Sequence, residues 1–147
     1  MKDVYISGLT DRISPEAPVP IVRVTKTEFK AGGAANVAVN LATLGLQVTL
    51  LSVVGDDKSA REIQQLLSSH NINCIFIKSP NLTTVQKHRI ISQHHQILRL
   101  DYESQNPKLN FQKKDYSELL KKFEKEAKSE TYSAAIFSDY KKGVLEH

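Results

Sequence analysis

The chain has 147 residues, 40% of them hydrophobic and 24% charged, and a formal net charge of +4. This is enough for one domain with its own core, and no apolar run is long enough to span a membrane. Much of the charge falls in "QKKDYSELLKKFEKEAK", where Lys and Glu alternate around Leu and Phe as on a solvated helix face; with no basic patch and interleaved aromatics, nucleic acid is excluded as a partner. The N-terminus lacks the basic-then-apolar pattern of a secretory signal. The single cysteine, Cys74, has no disulfide partner and no metal-ligand neighbours. Both features point to a cytoplasmic protein.

Residues 1–30 read as irregular at first, because Pro15, Pro18 and Pro20 in "RISPEAPVP" forbid a helix and demote any strand to an edge. "PIVRVTKTEF" then alternates apolar and polar residues, as a half-exposed strand does. Gly32-Gly33 ends it and opens a helix from Ala34 to about Leu44, with Gly45 as its C-cap. "QVTLLSVVG" is nearly all apolar and suits a strand buried on both faces of a parallel sheet. "DDKSAREIQQLLSSH" carries acids on its first turn and Ile63, Leu66 and Leu67 at helical spacing, and "INCIFIKS" is a further strand. Strand, helix and strand in that order imply a right-handed crossover in a parallel sheet.

"TTVQKHRIIS" and "QILRLDYE" both alternate, and the "QHHQ" between them predicts a hairpin. A long polar helix follows at about 112–129. "YSAAIFSDY" is expected to close the chain as an apolar strand ending at Asp139. The absence of a first buried strand, and a stop just after a last one, suggest an incomplete unit with uncovered edges. Leu145-Glu146-His147 look like the beginning of an expression tag.

A few residues could carry chemistry. Gly32 and Gly33 let backbone approach a ligand closely. The helix N-terminus behind them favours anions or hydroxyl oxygens, and Asn36 can donate and accept at once. A plain glycine turn with a capping Asn explains the same residues. The stretch is neither the dinucleotide fingerprint, which needs a third glycine, nor a Walker loop, which needs Gly-Lys-Ser/Thr. Lys87 and Arg89, two apart on a strand, share a face. Together they could hold a phosphate, or simply face solvent. Asp139 at a strand end could hold a ligand, since open α/β sheets bind beyond the C-terminal ends of their strands, or could cap a helix. His94 and His95 read as surface residues and Cys74 as core.

"AGGAANVAVNLATLGLQVTLLSVVG" resembles the first signature of the ribokinase-like (PfkB) carbohydrate kinases, with Gly45 and Gly55 as the further glycines. "RISPEAPVPIVRV", "QKHRIIS", "QILRLDYE" and "FSDYKKGVL" resemble blocks of the bacterial D-glycero-D-manno-heptose-7-phosphate kinases within that family. The resemblance covers nearly the whole chain. It implies a partial ribokinase-like βαβ sandwich of α/β class with a small β-sheet lid. The lid strands would lie at about 4–30 and 83–104, and the α/β core at about 31–82 and 112–144. It implies transfer of the γ-phosphate of ATP, with Mg2+, to the anomeric hydroxyl of heptose 7-phosphate, serving ADP-heptose and lipopolysaccharide core synthesis. Kinases of this kind are often fused to a nucleotidyltransferase domain.

By position, the resemblance assigns Asp3, Gly32, Gly33 and Asn36 to the sugar, and Lys87 and Arg89 to the 7-phosphate. Asp139 would stand near the cleft, and the lid strands would form a homodimer. The family's catalytic base lies in a Gly-Ala-Gly-Asp motif at a helix start that also stabilises the transferring phosphoryl group. No such motif occurs in these 147 residues. The expectation is therefore the sugar-binding part of a kinase, inactive alone, holding no catalytic residue, ATP or metal itself. The alternatives are a related kinase for another sugar and a non-catalytic sugar-phosphate-binding or dimerisation module.

Overall fold

Two long strands open the chain, β1 (Lys2–Ile13) and β2 (Pro20–Ala31), and they pair antiparallel from Lys2↔Ala31 to Ile13↔Pro20. The structure is a computed structural model that describes residues 1–104, 112–129 and 132–145. The start of the chain is thus ordered strand, where the sequence reading placed irregular chain lacking a first strand. The prolines do what their chemistry dictates but act only locally. Pro15 and Pro18 fall in the connection, and Pro20 opens β2, an edge strand where a missing N–H costs nothing.

α1 (Ala34–Thr43) follows, then β3 (Thr49–Gly55), α2 (Lys58–Ser69) and β4 (Asn73–Ser79). β3 and β4 pair in parallel across α2, so the expected crossover unit is present. β5 (Gln86–Ser92) and β6 (His95–Tyr102) form the expected hairpin. Gln93 and His94 both take positive φ, as a tight two-residue hairpin turn requires. β5 also pairs in parallel with β1, which gives a mixed sheet of order β2-β1-β5-β6. α3 (Lys113–Ala127) is the last regular element among the described residues.

The hydrophobic pattern explains the layering. On one face of the β3–β4 pair, Leu50, Cys74 and Phe76 pack against Ala35 and Ala38 of α1 and Ile63 and Leu67 of α2. On the other face, Leu51, Val53 and Ile77 pack against Leu119 of α3. β3 is therefore covered on both sides, as its apolar run predicts. Burial raises the pKa of the Cys74 thiol, in keeping with a packing role.

α1 ends as the sequence indicates. Gly45 takes φ +88, its N–H bonds to Ala42 and that of Leu46 bonds to Leu41, the paired pattern that satisfies terminal carbonyls. A Cβ on Gly45 would meet nothing within 4 Å, so only the backbone resists replacement. Gly45→Ala is expected to cost about 1 kcal/mol, measured by urea denaturation.

"YSAAIFSDY" does not form the predicted strand. Residues 132–140 are irregular, and Ile136 and Phe137 are 63% and 66% exposed. An apolar run encodes a wish for burial, whereas a strand also needs a partner's backbone groups. Here the contacts are between side chains: Tyr132 donates to Thr49 at 2.8 Å, and Phe137 stacks on Phe123. Of the suspected tag, Glu146 and His147 lie outside the described residues.

A buried knot ties the two sheets together. Asp57 caps α2 by accepting from the Ala60 N–H at 2.8 Å, and its second oxygen accepts from the Thr84 N–H at 2.8 Å. The Thr84 hydroxyl in turn accepts from the N–H of Gly55, the last residue of β3, at 3.0 Å. One residue on, the Val85 carbonyl accepts from Lys2 at 2.8 Å. The base of the four-stranded sheet is thereby fixed at the C-terminal end of β3. Desolvation works against the Asp57 carboxylate, but the Thr84 and Ala60 hydrogen bonds outweigh it and hold its pKa below the ordinary carboxylate range. Its contribution to stability is therefore complete above the unfolded carboxylate pKa, about 3.9, and is lost as pH falls through the lower folded value. Asp57→Ala is expected to cost about 2 kcal/mol at pH 7. In urea titrations that deficit should shrink as pH falls below the unfolded value.

Candidate functional site

Strand alternation sorts the four-stranded sheet into two unlike faces. One face carries Val4, Ile6, Phe29, Ile90, Leu98, Leu100 and Tyr102 in register. The other carries Asp3 and Tyr5 of β1, Lys87 and Arg89 of β5, Arg99 and Asp101 of β6, and Glu28 and Lys30 of β2.

On this charged face Asp3 stands opposite Lys87, and Tyr5 opposite Arg89. Asp3 lies near the start of β1 rather than at the end of a strand. Arg89 Nη1 lies 2.8 Å from Asp3 Oδ1, an ion pair only 24% and 14% exposed in its side chains. The donor and acceptor are not aimed along the contact, so both atoms are left without a regular hydrogen bond. The Asp3 contact holds the Arg89 guanidinium more firmly charged than usual, and its carbon sits 5.4 Å over the Tyr5 ring. A half-buried carboxylate and guanidinium also offer further acceptors and donors that suit a polyhydroxylated ligand.

Gly32 and Gly33 lie beside this pair. The Gly32 N–H bonds to the Met1 carbonyl at 3.1 Å, and a Cβ on Gly32 would fall 2.6 Å from Asp3 Oδ2. Gly33 takes φ +56 at the N-terminus of α1, where no side chain caps the helix and no acid sits in the first turn. α2 and α3 differ, being capped by Asp57 and by a Gln112–Asp115 box. Asn36 lies on the first turn of α1 and is exposed, its N–H bonded to the Gly33 carbonyl at 3.0 Å.

Lys87 Nζ lies 3.2 Å from Asp101 Oδ2, and Arg99 Nε lies 2.8 Å from Asp101 Oδ1. Burial works against the Asp101 carboxylate, yet the two cations keep its pKa below the ordinary range. Asp139, expected at the end of a strand, instead sits in an exposed turn and accepts from the Lys141 N–H at 2.7 Å. Its neighbour Tyr140 reaches Gly33, where a Cβ would fall 3.6 Å from the Tyr140 ring. Lys142 pairs with Glu103 just beyond β6, and Tyr116 donates to the Gly143 carbonyl. The 139–143 turn is thus held between the Gly-Gly corner and the charged face.

The structure therefore brings together Asp3, Gly32 and Arg89 in direct contact. Gly33 and Asn36 stand on the adjoining helix end, and Lys87 is one alternation along. Sequence reading missed Tyr5, Arg99, Asp101 and Tyr140. The signal for the first three was present in the alternation of "DVYIS" and "LRLDY", which places them on the face shared by Asp3, Lys87 and Arg89. Two cavities bear on the site's location. One of 30 Å³, lined by residues including Met1, Ala34, Ala35 and Phe76, adjoins the Gly-Gly corner and is too small for a sugar. One of 350 Å³ lies where β3 and β4 begin, lined by Gln47, Val48, Thr49, Asn71, Asn73 and Tyr132, none of them a predicted site residue. Among the described residues no three His, Cys, Asp or Glu side chains converge as a metal site would need, and no helix is long and apolar enough to cross a membrane.

The chain thus combines an α/β core, a mixed sheet tied across its strand ends, and a glycine pair opening an uncapped helix beside an Asp–Arg pair. The chain belongs to the pfkB family of carbohydrate kinases, whose family model matches residues 1–143. It is 47% identical over 145 residues to the bifunctional protein HldE of Histophilus somni, and 48% identical over 145 residues to that of Actinobacillus succinogenes. Each alignment covers 99% of this chain and 29% of the relative, so the chain spans less than a third of the curated proteins it matches. Solved structures share the fold at low identity. Phosphofructokinase-2 from Escherichia coli, in complex with fructose-6-phosphate, superposes with TM-score 0.60 and 18% identity, covering 84% of this chain and 38% of that one. A carbohydrate kinase from Agrobacterium tumefaciens gives TM-score 0.55 and 15% identity, covering 81% and 40%.

Proposed function

We propose that this chain is the sugar-binding and lid portion of a cytoplasmic kinase. That kinase transfers the γ-phosphate of ATP to the anomeric hydroxyl of D-glycero-D-manno-heptose 7-phosphate, in ADP-heptose synthesis for the lipopolysaccharide core. The observation that carries the reading is the 46–48% identity to HldE proteins across 99% of the chain, together with the "RISPEAPVP" and "QILRLDYE" blocks.

In this reading Asp3 accepts hydrogen bonds from sugar hydroxyls, the Gly32–Gly33 backbone lets the ring approach, and Asn36 donates and accepts at its edge. Lys87 and Arg89 hold the 7-phosphate, where Arg supplies a planar fork and Lys a point charge. Asp139 shapes the cleft wall through its turn. ATP and Mg2+ supply the phosphoryl group and the charge neutralisation in the whole kinase. No Gly-Ala-Gly-Asp occurs in these 147 residues, and in this reading the chain itself holds neither ATP nor Mg2+. What this chain's residues do is bind and orient the acceptor sugar.

A coupled assay on the longer HldE-like protein, with a panel of sugar phosphates, tests the reading. Turnover is expected with heptose 7-phosphate and none with the 147-residue chain alone. Preference for another sugar would reassign the substrate, and ATP-dependent phosphorylation by the short chain would overturn the division of labour.

A second component concerns association. On the apolar sheet face Val24 is 54%, Phe29 37%, Leu98 50%, Leu100 36% and Tyr102 47% exposed. Such a contiguous apolar face marks an interface, and a second copy would cover it by the same surface on both sides. Light scattering is expected to show a dimer, with Leu98→Glu shifting it to monomer. A monomeric parent chain would contradict the assignment.

A further inference from the structure

The sugar-phosphate reading leaves one arrangement of the charged face unexplained. In the β5–β6 ladder Arg89 stands directly opposite Arg99, and Lys87 directly opposite Asp101. Two guanidinium groups opposite one another are unfavourable in a sheet. They are tolerated here because each has a carboxylate: Asp3 lies 2.8 Å from Arg89, and Asp101 lies 2.8 Å from Arg99 Nε and 3.1 Å from its Nη2. The second oxygen of Asp101 is shared with Lys87 at 3.2 Å. One carboxylate thus spans two cations from adjacent strands, on both oxygens, as an oxyanion ligand would.

Charge and exposure separate the two carboxylates. Asp3 is the more buried, with 14% of its side chain exposed, and it is fixed beneath Gly32. Asp101 has 26% and Arg99 49% of the side chain exposed, so this pair can part without breaking the core. Lys87, Arg89 and Arg99 outnumber Asp3 and Asp101 by one cation; Lys30, over the Tyr5 ring at 5.1 Å, and Glu28, paired with Lys26, also lie on this face. A phosphate brings up to two charges and three strong acceptors. An exposed carboxylate pair is a weak interaction, whereas phosphate on an arginine fork is a strong one.

We propose that Asp101 is a resident carboxylate standing in the place of the ligand's phosphate. While the site is empty it holds Lys87 and Arg99 in position; an arriving phosphate displaces it, and Arg99 becomes the third cation of the subsite beside Lys87 and Arg89. This rests on the reading of the face as a sugar-phosphate site. It adds a phosphate-binding residue and a built-in competitor that sets the affinity.

The test is a titration of the isotope-labelled 147-residue chain with inorganic phosphate, heptose 7-phosphate and unphosphorylated heptose in turn. Asp101→Asn removes the competitor and is expected to tighten inorganic phosphate roughly fivefold. Arg99→Ala is expected to weaken it at least about tenfold, with partial recovery in Arg99→Lys. In the parent chain, the Arg99 Nε–H and Asp101 carboxyl resonances are expected to move together as phosphate is added. If Asp101→Asn weakens phosphate or leaves it unchanged, the carboxylate merely positions the cations and the proposal is overturned. Should that variant not fold, the parent-chain resonances decide: if they stay still while phosphate binds, the proposal fails. Heptose 7-phosphate binding no better than inorganic phosphate would refute the sugar assignment while leaving the phosphate subsite intact.

Discussion

Gly32→Ala is expected to weaken heptose 7-phosphate binding at least about tenfold, through loss of one charge-assisted contact. The new Cβ would fall 2.6 Å from Asp3 Oδ2 and 2.9 Å from Asp3 Cγ, closer than any real contact, so the carboxylate must move. Asp3 is a short side chain already held by Arg89 and cannot swing away freely. Moving it unpairs a guanidinium that is only partly exposed and, in the proposed reading, takes the acceptor away from the sugar. Because Gly32, unlike Gly33, does not take a positive φ, the effect tests side-chain space and not left-handed backbone strain. Calorimetric titration of the variant, with circular dichroism to confirm folding, measures it. Parent-like affinity would remove Asp3 from the site.

Gly55→Ala is expected to cost about 3 kcal/mol of stability. A Cβ there would sit 2.5 Å from the Leu82 carbonyl oxygen, 2.5 Å from Asp57 Oδ2 and 3.0 Å from the Thr84 N. Two of these are backbone atoms, which cannot turn aside as a flexible side chain can. The clash also falls on the knot that joins the end of β3, the cap of α2 and the strand leading to Lys87 and Arg89. The loss is therefore expected to combine strain with a weakened Asp57–Thr84 bond. Urea unfolding should show a lower midpoint with an unchanged slope. A cost below about 1 kcal/mol would show that the 80–85 connection yields easily.

Elements whose signal is local were legible in the sequence. α2 announced itself by Ile63 and Leu67 at helical spacing and by the acids at its start, although Asp57 caps the helix and does not sit on its first turn. α1 was bracketed by Gly33 and Gly45, and the hairpin by "QHHQ". The misses share a cause: strand formation depends on a partner that the local sequence does not name. In the local pattern, as opposed to the family resemblance with its lid strands at about 4–30, β1 is hidden because the prolines after it dominate the window, although "DVYIS" alternates cleanly. It exists because β2 and β5 flank it on both sides. "YSAAIFSDY" was read as a strand from its apolar run, but it has no ladder partner here. The candidate site divides in the same way. The glycines, Asn36, Lys87 and Arg89 stood out one by one. Arg99 and Asp101 became visible only once the register set them opposite Arg89 and Lys87.

In the proposed function the charged sheet face and the Gly-Gly corner together receive a sugar phosphate. The most direct test is to add heptose 7-phosphate to the isotope-labelled chain and follow every backbone amide. Saturable shifts are predicted at Asp3, Gly32, Gly33, Asn36, Lys87 and Arg89, with those at Lys87 and Arg89 lost when the sugar lacks its phosphate. Shifts confined to Gln47, Asn71, Asn73 and Tyr132, or none at all in a folded chain, would contradict it.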